Sequence, residues 1–168
     1  MIINGSDTSI AVTGHQPYIL GGYSNALDQG LYDLASGWLK ANQPREVVSG
    51  LAAGWDTAVA SAALDQDIPL IAALAYQGQA DQWPPEAKTV HEKLRDGASE
   101  IYQYSREKAH GCYTRRDRWV LERGDIVLAL WSGADGGTAR AVATAQKLGK
   151  PIINLWSDYS VTSETGAN

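Results

Sequence analysis

Short apolar runs alternate with helically spaced apolar positions along almost the whole chain. Residues 10–13 make a first run, closed by Gly14. Leu27, Leu31, Leu34, Ala35, Trp38 and Leu39 then recur at intervals of one, three and four, which lays one apolar stripe along a helix. Asn42 and Pro44 end it. Residues 46–49 read as a second strand, and Ala58, Val59, Ala62 and Ala63 mark a second helix. Residues 69–74 are a third strand, rich in small apolar side chains. Pro84-Pro85-Glu86 opens a helix that reaches about Leu94, with proline where a first-turn N–H needs no partner. Residues 100–104 suit an edge strand, 112–123 an arginine-rich helix, and 125–131 a buried strand. Thr138 to Leu148 reads as a helix, with Lys147 in its last turn and Gly149 and Pro151 just beyond. A last strand covers 152–155.

This alternation predicts an α/β fold: an open, mostly parallel sheet covered by helices on both faces, a three-layer α/β/α sandwich. Right-handed crossovers bring the loops that follow the strands to one edge. Ligands of such sheets bind there. At 168 residues the chain is expected to form one domain, residues 1–159, with a polar tail at 160–168. No internal repeat or linker divides it.

Composition narrows the chemistry. Phe is absent, while there are 6 Trp and 8 Tyr, so aromatic packing falls to residues with a polar handle. A single cysteine, Cys112, rules out an intramolecular disulfide and a Cys-based zinc site. Neither His91 nor His110 stands at metal-ligand spacing, so no metal is expected. The net charge of −5 argues against a general nucleic-acid coat, because phosphate neutralisation needs a basic face, and makes a nucleic-acid partner unexpected while leaving room for a local basic pocket. No apolar run has membrane-spanning length, and the first residues lack the basic and apolar regions of a signal peptide. A cytoplasmic location is the default expectation.

Two glycine-bearing corners carry the candidate chemistry. Ser49-Gly50-Leu51-Ala52-Ala53-Gly54-Trp55-Asp56 follows the second strand. Asp135-Gly136-Gly137-Thr138 follows the fifth. A strand, a glycine turn and a helix start together favour an anion, since glycine admits close approach and the helix end presents free N–H groups. Gly136, Gly137 and the Thr138 hydroxyl are the expected phosphate site, against the alternative of a tight turn capped by Thr138. At the other corner Gly50 and the Ser49 hydroxyl can meet ligand. Asp56 either complements a helix dipole, touches a ribose hydroxyl or acts as a general base. Gly14 and His15 follow the first strand, placing His15 at the crevice rim as a phosphate contact or an acid–base group. Tyr76, Gln79, Trp83 and Tyr113 can wall the crevice. A Cys112–His110 nucleophile is disfavoured, because no third residue orients the pair. Arg115, Arg116 and Arg118 read either as a solvated face paired with Asp117 and Glu122 or as a clamp on phosphate.

Ala11-Val12-Thr13-Gly14-His15-Gln16-Pro17, followed by Leu20-Gly21-Gly22-Tyr23, resembles the opening of the YpsA/YspA-like branch of the SLOG superfamily. The Ser49–Asp56 corner is similar to an element that this superfamily shares with DprA proteins. Pro69 to Leu74, Gly78-Gln79, Gln82-Trp83-Pro84 and the stretch Tyr113 to Trp119 resemble the same branch, as does Gly136-Gly137-Thr138-Ala139. The resemblance implies a Rossmann-like fold, a nucleotide or nucleotide-derived ligand, and a role for Arg116. Homo-oligomers are common among such proteins, and an apolar face beside Trp38 or Trp119 would serve that purpose. Related phosphoribohydrolases carry a glutamate after their glycine–threonine element; here Ala139, Arg140, Ala141 and Val142 follow instead. The expectation is therefore a protein that binds a nucleotide-type molecule as sensor or sequestering agent, needs no other cofactor, and has no assigned catalytic residue. One alternative is an enzyme acting at an N-glycosidic bond, with Asp56 or Glu86 as the acting carboxylate. Another is single-stranded DNA binding of the DprA kind.

Overall fold

A computed structural model describes residues 3, 5–17, 19–20 and 25–165, with backbone alone at 25–28 and 161–165. Gly21, Gly22 and Tyr23 of the opening motif, the Leu27 side chain and the end of the tail at 166–168 lie outside the described residues.

Six strands form one all-parallel sheet. They are β1 (Ser9–Gly14), β2 (Glu46–Ser49), β3 (Leu70–Tyr76), β4 (Glu100–Ser105), β5 (Ile126–Leu130) and β6 (Ile152–Asn154), in spatial order β4-β3-β2-β1-β5-β6. Helices α1 (Asn25–Asn42), α2 (Trp55–Asp65), α3 (Pro85–Gly97), α4 (Cys112–Arg123) and α5 (Gly137–Lys147) follow the first five strands in turn. The result is the three-layer Rossmann-like sandwich that the alternation predicts.

The layers follow from period-two alternation along strands buried on both faces. Ile10, Val12, Val47, Leu70 and Leu128 point to one core, filled by Leu31, Leu39, Trp55 and Leu94 of α1, α2 and α3. Ala11, Val48, Ile71 and Val127 point to the other, filled by Val120, Leu121, Ala141 and Ala145 of α4 and α5. Trp55 is wholly buried and donates its ring N–H to the Leu128 carbonyl at 3.4 Å. Trp38 is half-buried against the first core. Trp119 lies flat on Tyr102, ring centres 4.0 Å apart.

The chain runs outward from β1 through β2 and β3 to β4, then returns past β1 to β5. The strand order therefore reverses between β1 and β5. The loop after β1 leads to α1 on one face, and the loop after β5 leads to α5 on the other. The two loops diverge there and leave a crevice at the carboxyl ends of the strands.

A further helix, α6 (Trp156–Thr165), closes the described chain. Residues 160–165, read from the sequence as tail, are part of it. Its sequence WSDYSVTSET has no helical apolar stripe to announce it. Trp156 and Tyr159 anchor it on the first core. Among the described residues no helix is long and apolar enough to cross a membrane.

Two glycines should respond oppositely to alanine. A Cβ at Gly14 would stand 2.4 Å from the Trp55 ring, which has no room to move. Gly37 is exposed on α1 with nothing near it. Urea denaturation should show Gly14→Ala costing about 2 kcal/mol through overpacking. Gly37→Ala should gain roughly 0.5–1 kcal/mol from helix propensity. A Gly14→Ala chain as stable as the parent would remove Trp55 as the reason for that glycine.

Candidate functional site

The two glycine corners have different fates. At the fifth strand, Gly136 adopts φ 139°, a backbone region open to glycine, and caps α5 with no side chain bonded to the helix end. The first amide to bond back is that of Arg140, to the Gly136 carbonyl at 3.1 Å. The N–H groups of Gly137, Thr138 and Ala139 precede it in the unbonded first turn. The space beside Gly137 is open, with only the Arg140 guanidinium at 3.9 Å. Thr138 is not the cap; it is the second residue of the helix.

The corner after β2 is filled. Gly50 turns its carbonyl to the Arg116 guanidinium in a short hydrogen bond, and a Cβ there would lie 2.6 Å from that group. The glycine admits an arginine, not a ligand. The Ser49 hydroxyl donates to the Asp56 carbonyl at 3.0 Å and accepts from the Leu51 amide at 3.1 Å. It is fully buried and spent on the loop, so the expected ligand contact by Ser49 and Gly50 is corrected to a structural role.

Arg116 is 3% exposed. Its Nη1 also donates to the Ala73 carbonyl at 3.1 Å and reaches Gln79 Oε1 at 3.5 Å, while Nε pairs with Asp117 at 2.7 Å. Gln79 locks the same loop, donating to the Gly50 carbonyl at 3.0 Å and accepting from the Ala75 amide at 2.8 Å. Its amide also lies 3.3 Å from His91 Nε2. Sequence spacing already held a clue to this burial. Cys112, Arg116 and Val120 stand four residues apart and all face inward on α4. Arg115 and Arg118 stay exposed, Arg118 paired with Glu122 at 2.8 Å.

His15 does not sit at the rim. It is buried, and the Ser132 amide donates to its Nε2 at 2.9 Å, with the Ser132 hydroxyl at 2.8 Å. An amide N–H can only donate, so Nε2 is the bare nitrogen of a neutral ring. Burial also lowers its pKa. His15 therefore ties the loop after β1 to the loop after β5, and its expected phosphate contact is corrected to that brace. Gly14 serves the packing of Trp55.

A cleft of about 420 Å³ opens between the loops after β1, β2 and β3 and the first turns of α4 and α5. Gln16, Trp83, Tyr113, Arg116, Arg118 and Arg140 are among its walls, with Gly137 at the helix end. A smaller recess of about 70 Å³ adjoins it, where Asp56 meets Arg116, Asp117 and Thr138. Tyr113 stands edge-on to Tyr76 with ring centres 5.9 Å apart. Gln16, Arg140 and Thr144 line the cleft without having been singled out from sequence; Arg140 lies one helical turn after Gly136, the one available signal. Glu86 is exposed in the first turn of α3 and lines neither space. Cys112 is buried at the start of α4.

The profile of the DNA recombination-mediator protein A family matches residues 29–168. The chain belongs to this family. Three solved structures share its fold. DNA processing protein A from Streptococcus pneumoniae is 19% identical with a TM-score of 0.64, the match covering 88% of this chain and 50% of that one. DNA processing protein A from Helicobacter pylori is 20% identical, also at 0.64, with 89% and 65% covered. The protein TM1055 is 17% identical at 0.59, with 86% and 72% covered. The chain thus spans half to 65% of the length of the first two. No curated protein sequence matches it. The superfamily drawn from the glycine motifs is borne out.

Family membership overturns one expectation. The net charge of −5 argued against a nucleic-acid partner, yet the family takes its name from DNA recombination. The structure of its Helicobacter pylori relative describes a single-stranded DNA binding mode of that protein. Net charge is a sum over the whole surface and does not describe the cleft, where Arg118 and Arg140 stand among the walls.

Asp56, which lines the recess, has a carboxyl shifted far from its ordinary range. Burial pushes its carboxyl up to about 7; Arg116 and the Ala52 amide pull it down, and Asp117 adds to the rise. The helix-dipole reading from sequence would have lowered it, and desolvation wins. Because the folded pKa lies above the unfolded one of 3.8, the folded chain keeps a proton that the unfolded chain loses. Stability therefore falls as pH rises from about 4 to about 7 and stays reduced above. In urea denaturation, Asp56→Asn should remove that decline, gaining on the order of 3 kcal/mol over the parent at pH 8 relative to pH 4. Parallel pH curves for the two chains would rule out a raised Asp56.

Proposed function

We propose that the cleft binds the sugar–phosphate backbone of single-stranded DNA, with one phosphate on the N-terminus of α5. The observation that carries this reading is that uncapped helix end, open at Gly137 and flanked by arginines. Arg140 makes no ion pair among the described residues. It stands one turn from the free amides, where a guanidinium meets phosphate oxygens directly. Trp83 and Tyr113 on the cleft wall offer ring faces and edges to unstacked bases, which suits single strands of mixed sequence. Membership in a DNA recombination-mediator family, and the binding mode described for the Helicobacter pylori relative, support the choice of ligand.

A second reading is a free nucleotide in the same cleft. It is favoured by the small recess beside the helix end, which shares Arg116, Asp117 and Gly137 with the cleft. Assignment to the YpsA/YspA-like branch belongs with that reading, because its opening motif spans residues 11–23, ahead of the family match at 29–168.

Fluorescence anisotropy with a labelled oligo-dT of about 20 nucleotides tests both. Gly137→Asp puts a carboxylate at the helix end and should weaken binding by about tenfold or more. Arg140→Ala should weaken it several-fold and lower the slope of log affinity against log salt by about one. Unchanged affinity in both variants would sink the site. Binding of mononucleotides with none of the oligonucleotide would replace the first reading by the second.

A further inference from the structure

The recess of about 70 Å³ has a chemistry of its own. Thr13, Asp56, Arg116, Asp117, Gly137 and Thr138 surround it. Two of these are more than nine-tenths buried, Arg116 at 3% exposure and Asp56 at 7%. Both keep hydrogen-bonding capacity. Arg116 uses Nε on Asp117 and Nη1 on Gly50, Ala73 and Gln79, while its Nη2 has no protein partner among the described residues. The Asp56 carboxyl takes the Ala52 amide and no other protein hydrogen bond among the described residues.

Elimination identifies what fits. Whole ligands of drug size occupy roughly 300–1,000 Å³, so this space receives one functional group. An anion entering it gains the free amides of Gly137 and Thr138 but faces the Asp117 carboxylate, and the one buried cation there is already paired with that carboxylate at 2.7 Å. A cation meets the Arg116 guanidinium. An apolar group leaves both buried polar side chains without partners, which is costly. A neutral hydroxyl suits both sides: its O–H donates to the Asp56 carboxyl, and its oxygen accepts from Arg116 Nη2.

The geometry points to a sugar-hydroxyl subsite: the recess takes a free hydroxyl of the same nucleotide whose phosphate rests on the α5 N-terminus. Arg116, Asp117 and Gly137 line both spaces, so one nucleotide reaches from one to the other. This inference rests on the nucleotide-phosphate reading of the cleft. Two sources supply such a hydroxyl. One is the vicinal diol of a free ribonucleotide. The other is the 3′-hydroxyl at the end of a DNA strand, since sugars inside a strand have none.

Wild-type protein separates these without any variant. Competition against labelled oligo-dT would compare strands ending in a 3′-hydroxyl with strands ending in a dideoxy sugar. Thermal shift would compare ribonucleoside 5′-monophosphates with their 2′,3′-dideoxy counterparts. The hydroxyl-bearing member of at least one pair should bind about tenfold tighter, as a hydrogen bond to a charged group requires. A preference in the oligonucleotide pair identifies a strand end, and one in the nucleotide pair a ribonucleotide. Asp56→Leu should abolish the preference while phosphate-dependent binding persists. Equal affinities within both pairs would overturn the subsite and leave the phosphate reading standing. Absence of binding in every arm would overturn both.

Discussion

The carboxyl edge of the sheet depends on one buried guanidinium. Arg116 comes from α4, on one face of the sheet, and reaches the backbone of β3 and of the loop that leads to α2 on the other. It satisfies carbonyls at Gly50 and Ala73 that would otherwise face a low-dielectric interior. Its charge is balanced by the neighbouring Asp117 and felt by Asp56. Gly50 must be glycine because the arginine occupies the place of its side chain. Gln79 is held by the same loop carbonyl, so the loops after β2 and β3 are locked by shared partners. A buried cation of this kind is weak evidence for net stability, but removing it would strand the oxygens and the carboxylate around it.

Strand order explains why the two corners differ. The loops after β1, β2 and β3 all lead to helices on one face, so the opposite side of the β2–β3 edge has no loop of its own. Arg116 fills that space from below. At β1 and β5 the loops lead to helices on opposite faces, and His15 braces one loop against Ser132 of the other. The helix end left exposed is the one at Gly136 and Gly137, whose amides point into the opening. A glycine corner is thus a cradle or a keyhole according to its position relative to the switch in strand order.

That distinction marks how far the sequence could be read. The strands, the order of strand and helix, and the open corner at Gly136 were all legible, because period-two and helical spacing are local signals. The burial of His15 was not. Its partner Ser132 lies 117 residues away, and no local pattern tells whether a loop histidine turns outward or braces another loop. Ser49 turned inward for the same reason. Arg116 is an intermediate case: its four-residue spacing from Cys112 and Val120 is a local sign of an inward face, but arginine is so seldom buried that such spacing by itself does not place it inside. α6 left no signal, because its sequence carries no helical apolar stripe; Trp156 and Tyr159 are the residues that pack on the first core among those described.

The electrostatics of the edge combine a helix end that favours negative charge with a recess that resists it. On the proposed reading a phosphate gains from the free amides of α5 and from Arg140, which makes no ion pair among the described residues. On the adjoining recess the Asp117 carboxylate opposes a second anion. A ligand that satisfies both halves must change from charged to neutral over the length of one nucleotide. A sugar attached to its phosphate does this; a pyrophosphate does not.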